Sequence, residues 1–258
     1  MPDRPESPAH DPFPAWVDAL QERHRRELTF AEVRKGLRAL SSLYVERRGR
    51  LSSGAALEGA GKRAAFALYY GPLHFVLVRE IVRALGPEAT RPGPVLDLGC
   101  GTGAAGAAWA LETGGAFEGI DRSGWAVEET RWTVARLGLK GSGRKGGAAS
   151  SALPKAPGAI LAAFTVNELD TAERDRLLAS VKEAASGGAR VLVVEPLARR
   201  ALGWWDGWAA AFREAGGRAD EWRFDAALPP SVTELGRAAG LDPRRLGARS
   251  LFLPGRRP

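Results

Sequence analysis

The chain has 258 residues, 45% of them hydrophobic, which is enough to bury a substantial core and far from a disordered composition. Its formal net charge of +7 favours an anionic partner such as nucleic acid over a neutral one. Its one cysteine, Cys100, excludes an internal disulfide framework and any cysteine-ligated zinc or iron–sulfur site, and no metal is expected.

Residues 1–13 are polar and Pro-rich and read as a disordered tail. They hold no apolar signal core, so a cytoplasmic protein is expected. Residues 14–90 predict a helical subdomain and residues 91–258 a second domain. A first helix at 15–26 carries Trp16, Val17 and Leu20. Thr29 with Glu32 three residues later forms a capping box that opens the next helix. That helix puts Val33, Leu37, Leu40 and Tyr44 on one stripe and Arg34, Lys35 and Arg38 on the other face. A helix over about 55–70 follows, and Pro72 sits well in the first turn of a separate helix, 72–85. The break at Gly71-Pro72 argues against a membrane span. His74, on a mostly apolar helix, reads as a packed core residue.

From residue 95 short apolar runs alternate with helices, the pattern of a parallel α/β sheet. The strand candidates are Val95–Leu98, Ala116–Ile120, roughly Gly146–Ser150, Ala159–Thr165 and Arg190–Glu195. Helices are expected at about 103–113, 124–137, 171–186 and 203–215. Strands at Trp222–Ala227 and Arg249–Leu253, flanking a helix near 231–239, are expected to pair as a hairpin at the sheet edge. Residues 138–158, rich in Gly, Lys, Ser and Pro, read as a surface loop around a short edge strand.

The sequence Asp97-Leu-Gly99-Cys100-Gly101-Thr-Gly103 follows an apolar strand and opens a helix. Glycines there allow a sharp turn and let a ligand approach without interference from Cβ atoms. The next strand ends at Asp121, where a carboxylate can accept hydrogen bonds from ribose hydroxyls. Gly101-x-Gly103-x-x-Gly106, with Asp121 lying 18 residues after Gly103, also matches a dinucleotide loop. Asp97 separates the two readings. A carboxylate at that strand end repels a pyrophosphate, whereas S-adenosyl-L-methionine has no phosphate and carries a cation. The expected cofactor is therefore S-adenosyl-L-methionine. Cys100 lies inside the turn, so attack on cytosine C5 by a cysteine nucleophile is disfavoured.

Ligands of an open α/β sheet sit beyond the carboxyl ends of the strands. The fourth strand ends in Asn167-Glu168-Leu169-Asp170, which makes Asn167 and Glu168 the candidate catalytic contacts. Asp170 or Thr171 is expected to cap the following helix. The tetrapeptide Asn/Asp-Pro-Pro-aromatic, the usual mark of methylation on a base's amino group, is absent. Glu195 and Pro196 end the fifth strand, and Glu195 could line the substrate mouth. Trp204, Trp205 and Trp208 read as helix-to-sheet packing.

These segments together resemble the ribosomal small-subunit methyltransferase-like family, whose mitochondrial members assist assembly of the small ribosomal subunit. The resemblance covers most of 29–200 and rests on ALSSLYVERRG, AAFALYYGPLHFVLVREIV, VLDLGCGTG, AFTVNELD and VVEP. It implies a class I methyltransferase fold: a Rossmann-like seven-stranded sheet with helices on both faces, preceded by a helical subdomain. It also implies S-adenosyl-L-methionine-dependent activity and association with ribosomal RNA in ribosome biogenesis, with a small-molecule or protein methyltransferase and a catalytically inactive cofactor-binding assembly factor as the alternative expectations. Carried over by position, the cofactor residues are Asp97, Gly99, Gly101, Gly103 and Asp121, with Tyr70 near the pocket. Cys100, Arg122, Phe164 and Thr165 complete the candidate cofactor contacts. The chain departs from many members in lacking a downstream cysteine cluster. Basic residues cluster at 23–26, 34–38, 47–50, 140–145, 199–200, 244–245 and 256–257, a pattern expected to meet RNA phosphates.

Overall fold

The computed structural model describes residues 11–46, 57–154, 158–197, 202–242 and 244–255. Seven strands form one sheet in the order β3-β2-β1-β4-β5-β7-β6. They are β1 Val95–Leu98, β2 Phe117–Asp121, β3 Gly141–Lys145, β4 Ala159–Ala163, β5 Arg190–Glu195, β6 Arg218–Asp225 and β7 Arg245–Leu253. The first five are parallel, and β7 runs antiparallel to both β5 and β6. The strand order reverses between β1 and β4, so the carboxyl ends of β1, β2 and β4 converge on one crevice.

The helices are α1 Phe13–His24, α2 Phe30–Glu46, α3 Ala60–Leu85, α4 Pro87–Thr90, α5 Ala104–Thr113, α6 Gly124–Arg136, α7 Thr171–Ser186, α8 Trp205–Glu214 and α9 Pro230–Ala238. On one face of the sheet, Val95, Phe117, Leu161, Leu192, Val194 and Phe252 join α1, α2, α3, α5 and α9 in a single apolar cluster. On the other, Leu96, Leu98, Ile160, Val191, Val193 and Leu251 pack on α7 and α8. Trp205 and Trp208 are buried there, as expected. The buried surface of α5 is mostly alanine and glycine, so the helix lies close to both α3 and the sheet.

Several elements depart from the sequence reading. The first segment of order begins earlier: Phe13 is buried and stacked on Phe75, and Asp11 pairs with Arg79. The remainder of the expected tail, residues 1–10, lies outside the described residues. The two helices expected on either side of Gly71-Pro72 are one helix, α3, of 26 residues. Residues Phe66–Tyr70 form a π turn, with Gly71 N donating to Phe66 O five residues back. This wider ring takes up the bond pattern that Pro72, without an N–H, cannot continue. α3 is long and apolar enough by composition to cross a membrane, but 67% of its apolar window is buried inside the fold.

The third strand lies at 141–145, not 146–150. Its sequence, GSGRK, has little strand propensity, and parallel pairing with β2 imposes the conformation. Residues 146–151 instead turn back, with Ser151 Oγ donating to Gly147 O at 2.7 Å. β6 and β7 pair antiparallel on either side of α9, as expected, but they begin at Arg218 and Arg245 rather than at Trp222 and Arg249, and β7 is an interior strand while β6 forms the edge.

Candidate functional site

The glycine turn follows β1 as read from the sequence. Gly99, Gly101 and Gly103 have φ of +71°, +55° and +75°, the left-handed region in which other residues are strained. Asp97, in β1 and only 1% exposed, points into the space under α5. Its Oδ2 accepts the Gly106 N–H at 3.0 Å. A Cβ on Gly106 would lie 2.7 Å from that oxygen, so glycine is what lets helix and acid approach. Burial pushes the Asp97 carboxyl up to about 7, the Gly106 hydrogen bond opposes this, and the neighbouring Asp121 adds to it. Asp121, at the end of β2, accepts Gly101 N at 3.0 Å and Ser123 N at 2.8 Å. Burial raises its carboxyl too, against those backbone donors.

Two candidate contacts prove to serve the turn from behind. Cys100 is buried, its Sγ 3.2 Å from Thr130 Oγ1 and packed beneath Gly119. Its side chain therefore faces β2 and α6, and burial pushes the thiol well up. The Thr165 hydroxyl donates to Leu98 O at 2.9 Å and fills the space where a Gly99 Cβ would stand. Both residues shape the loop with side chains turned away from its open side. Arg122 is exposed and pairs with Glu173 at the start of α7, which engages its guanidinium.

Beyond β4 the chain enters a 3₁₀ turn, Val166–Glu168. The Asn167 N–H donates to Glu195 Oε1 at 3.0 Å, so the buried Glu195 of β5 holds this turn rather than lining its open side. Glu168 lies at the exposed rim; crowding by protein on its inner side and repulsion from Asp121 raise its carboxyl to about 7, against the pull of Arg122. Asp170 caps α7 in a reciprocal capping box with Glu173, as the spacing predicts.

Phe164 joins β4 to this turn with φ +59°, the one non-glycine residue among those described with a positive φ. Such a conformation costs about 1–3 kcal/mol and persists where surroundings enforce it, often at functional sites. Here its N–H is held by Val194 O at 2.7 Å and its ring stacks on His74 at 4.2 Å and 18°. His74 also lies 6.1 Å from Phe66 and 6.0 Å from Tyr70. Phe66 leans onto the glycine turn, because a Cβ on Gly101 would come within 3.2 Å of its ring. Trp125 of α6 closes the group edge-on to Phe66 at 6.4 Å. Tyr70 lies 5.9 Å from Phe66 between ring centroids, its hydroxyl hydrogen-bonded to Ser41. Phe66, Trp125 and His74 are site residues that the sequence reading misses. The four-residue steps 66, 70, 74 on one helix face are the available signal.

The fold has relatives among solved structures. A candidate O-methyltransferase from Nostoc punctiforme superposes with a TM-score of 0.55 at 15% identity, over 84% of this chain and 71% of that one. The fold is that of a class I methyltransferase. A TehB-like S-adenosylmethionine-dependent methyltransferase from Corynebacterium glutamicum gives a TM-score of 0.44 at 17% identity, over 82% and 96% of the two chains. A candidate RNA methyltransferase from Pyrococcus horikoshii gives 0.45 at 13% identity, over 69% and 81%. No protein-family model and no curated protein matches the chain.

The basic clusters divide into two kinds. Arg23 and His24 bind Glu129, Arg144 binds Glu118, and Arg244 binds Asp242. Arg25, Arg26, Lys35 and Arg38, from the end of α1 and the outer face of α2, are exposed with no acidic partner among the described residues. Arg47, Arg199 and Arg200 lie outside the described residues.

Proposed function

We propose that this chain is an S-adenosyl-L-methionine-dependent methyltransferase whose substrate is RNA, specifically ribosomal RNA of the small subunit. The observation that carries the cofactor reading is the pair of acids around the turn, Asp97 and Asp121, with no cation beside Asp97 among the described residues to neutralise it. A pyrophosphate would meet two partly desolvated carboxylates, whereas an ammonium and two ribose hydroxyls would each find an acceptor. The left-handed glycines carry no side chains of their own, and Phe66 lies against the turn at Gly101. In this reading Asp97 receives the amino group and Asp121 the ribose. Cys100 and Thr165 fix the backbone between them, and Asn167 and Glu168 stand at the acceptor side. When bound, the cofactor supplies a methyl group on a sulfonium. The protein's share is to align the acceptor with it and to accept a proton.

The exposed Arg25, Arg26, Lys35 and Arg38 support the RNA substrate, since cations without an acidic partner among the described residues can neutralise phosphates. Calorimetric titration with S-adenosylmethionine and with NAD tests the cofactor, and tritiated methyl transfer to 30S subunits and to stripped rRNA tests the substrate. Asp121→Ala should weaken S-adenosylmethionine binding by about 1–3 kcal/mol through loss of a charge-assisted hydrogen bond. Tighter binding of NAD would overturn the cofactor reading. Cofactor binding without transfer to either form of rRNA would favour a cofactor-binding assembly factor without catalysis.

A further inference from the structure

His74 has a property that packing alone does not require. No hydrogen bond or ion pair among the described residues engages either of its ring nitrogens, although the side chain is half-buried among aromatic rings. The hydroxyl of Tyr70, whose ring lies 6.0 Å from the imidazole, is committed to Ser41. Phe164, strained into the left-handed region, lays its ring flat against the imidazole. Phe66, whose ring centroid lies 6.1 Å from the imidazole, touches the glycine turn. The imidazole is thereby held between the cofactor turn and the end of β4, where an acceptor must stand. Burial keeps it neutral, pulling its titration down to about 4, so it can accept a hydrogen bond at neutral pH.

We propose that His74 is the proton acceptor of the methyl-acceptor site, and that the acceptor is an unpaired, uncharged nucleobase presenting a ring N–H. The proposal rests on the S-adenosylmethionine and RNA reading above. Other base chemistries lack their groups in this chain. Attack at a pyrimidine carbon needs a thiolate, and the one thiol faces away from the crevice. An exocyclic amine lacks the Asn/Asp-Pro-Pro-aromatic segment after β4, where this chain has Phe164-Thr165-Val166-Asn167. A ring N–H flanked by Phe66, Tyr70 and Phe164 has stacking partners and one free nitrogen to meet it. In the step, the ring nitrogen's electron pair forms the bond to the methyl carbon, and the carbon–sulfur bond breaks with its electrons left on sulfur. The N–H proton passes to His74. A weakly basic imidazole suffices, because the N–H becomes far more acidic as its nitrogen gains positive charge.

The test uses full-length protein with histidine-selective ¹⁵N labelling, saturated with S-adenosylhomocysteine, and titrated with uridine or guanosine. The chain has three histidines, and the His74 signal is the one missing from His74→Phe. The expected result is a shift of that signal with at least one nucleoside and none with 3-methyluridine or 1-methylguanosine, which lack the ring N–H. S-adenosylhomocysteine affinity should stay within about threefold of wild type in both His74→Phe and His74→Gln. Methyl transfer to rRNA should fall about a hundredfold or more in His74→Phe. His74→Gln, which keeps an acceptor atom but cannot take the proton, should retain the KM for RNA and lose kcat. A His74 signal unmoved by both nucleosides, equal shifts with the methylated controls, or full transfer by His74→Phe would each overturn the proposal. Failure of the wild type to bind S-adenosylhomocysteine would overturn the underlying function instead.

Discussion

Asp97→Asn isolates the electrostatics of the turn. The wild-type carboxyl is 1% exposed, and its one hydrogen bond among the described residues is the Gly106 N–H at 3.0 Å. Burial lifts it to about 7 in the fold, against about 3.9 in an unfolded chain. The folded state thus prefers the protonated acid. Its contribution to stability is whole below about pH 4 and is lost as pH rises through about 7. That displacement corresponds to about 4 kcal/mol at the upper bound, of which about 2–3 kcal/mol falls between about pH 5 and about pH 8.5. The substituted asparagine would still accept the Gly106 N–H and would carry no charge. Urea unfolding at the two pH values should therefore show the wild type losing about 2–3 kcal/mol more than Asp97→Asn. Because Asp121 pushes on Asp97, the difference belongs to the pair rather than to one acid. Saturating S-adenosylhomocysteine should close the gap, since its ammonium favours the ionised carboxylate, and Asp97→Asn should bind it more weakly. Parallel pH slopes for the two proteins, or undiminished affinity in the variant, would refute the assignment of Asp97 as the cation partner.

Gly99→Ala would place a Cβ 2.4 Å from Thr165 Oγ1 in a left-handed backbone, so strain and overpacking together should cost about 4 kcal/mol. Adding Thr165→Ala should recover about 1–2 kcal/mol of it in urea unfolding, and strict additivity of the two substitutions would count against the steric account. Glu129, buried in α6, anchors α1 through Arg23 at 2.8 Å and His24 at 3.0 Å. Burial alone would raise its carboxyl, but the hydrogen bonds from His24 and Arg23 outweigh that and hold it below its usual range. Glu129→Gln should therefore destabilise by about 1–3 kcal/mol at neutral pH, with faster amide exchange in α1, and the difference should vanish as pH falls through the lowered value.

What the sequence makes legible follows from how local each cause is. β1, β4 and β5 are apolar runs flanked by breakers, and the capping boxes at Thr29 and Asp170 are complete within four residues. β3 escapes the sequence reading because GSGRK becomes a strand only through its neighbour β2. The same division runs through the site. The left-handed glycines, Asp97 and Asp121 announce themselves at fixed spacing, and the structure gathers them at one end of the sheet. The directions of Cys100 and Thr165 are not legible, because they are set by partners 30 and 67 residues away. The acceptor side is less local still. Phe66, Tyr70 and His74 share a helix face by simple periodicity, but that stripe reads equally as core. It becomes a site through one backbone choice elsewhere: the left-handed Phe164, whose N–H is pinned by Val194 and whose ring stacks on the imidazole. A turn for binding the donor can thus be recognised from a dozen residues. The surface that chooses the acceptor is made by contacts between the end of β4 and a helix about ninety residues earlier, a separation at which tertiary packing decides and local propensity does not.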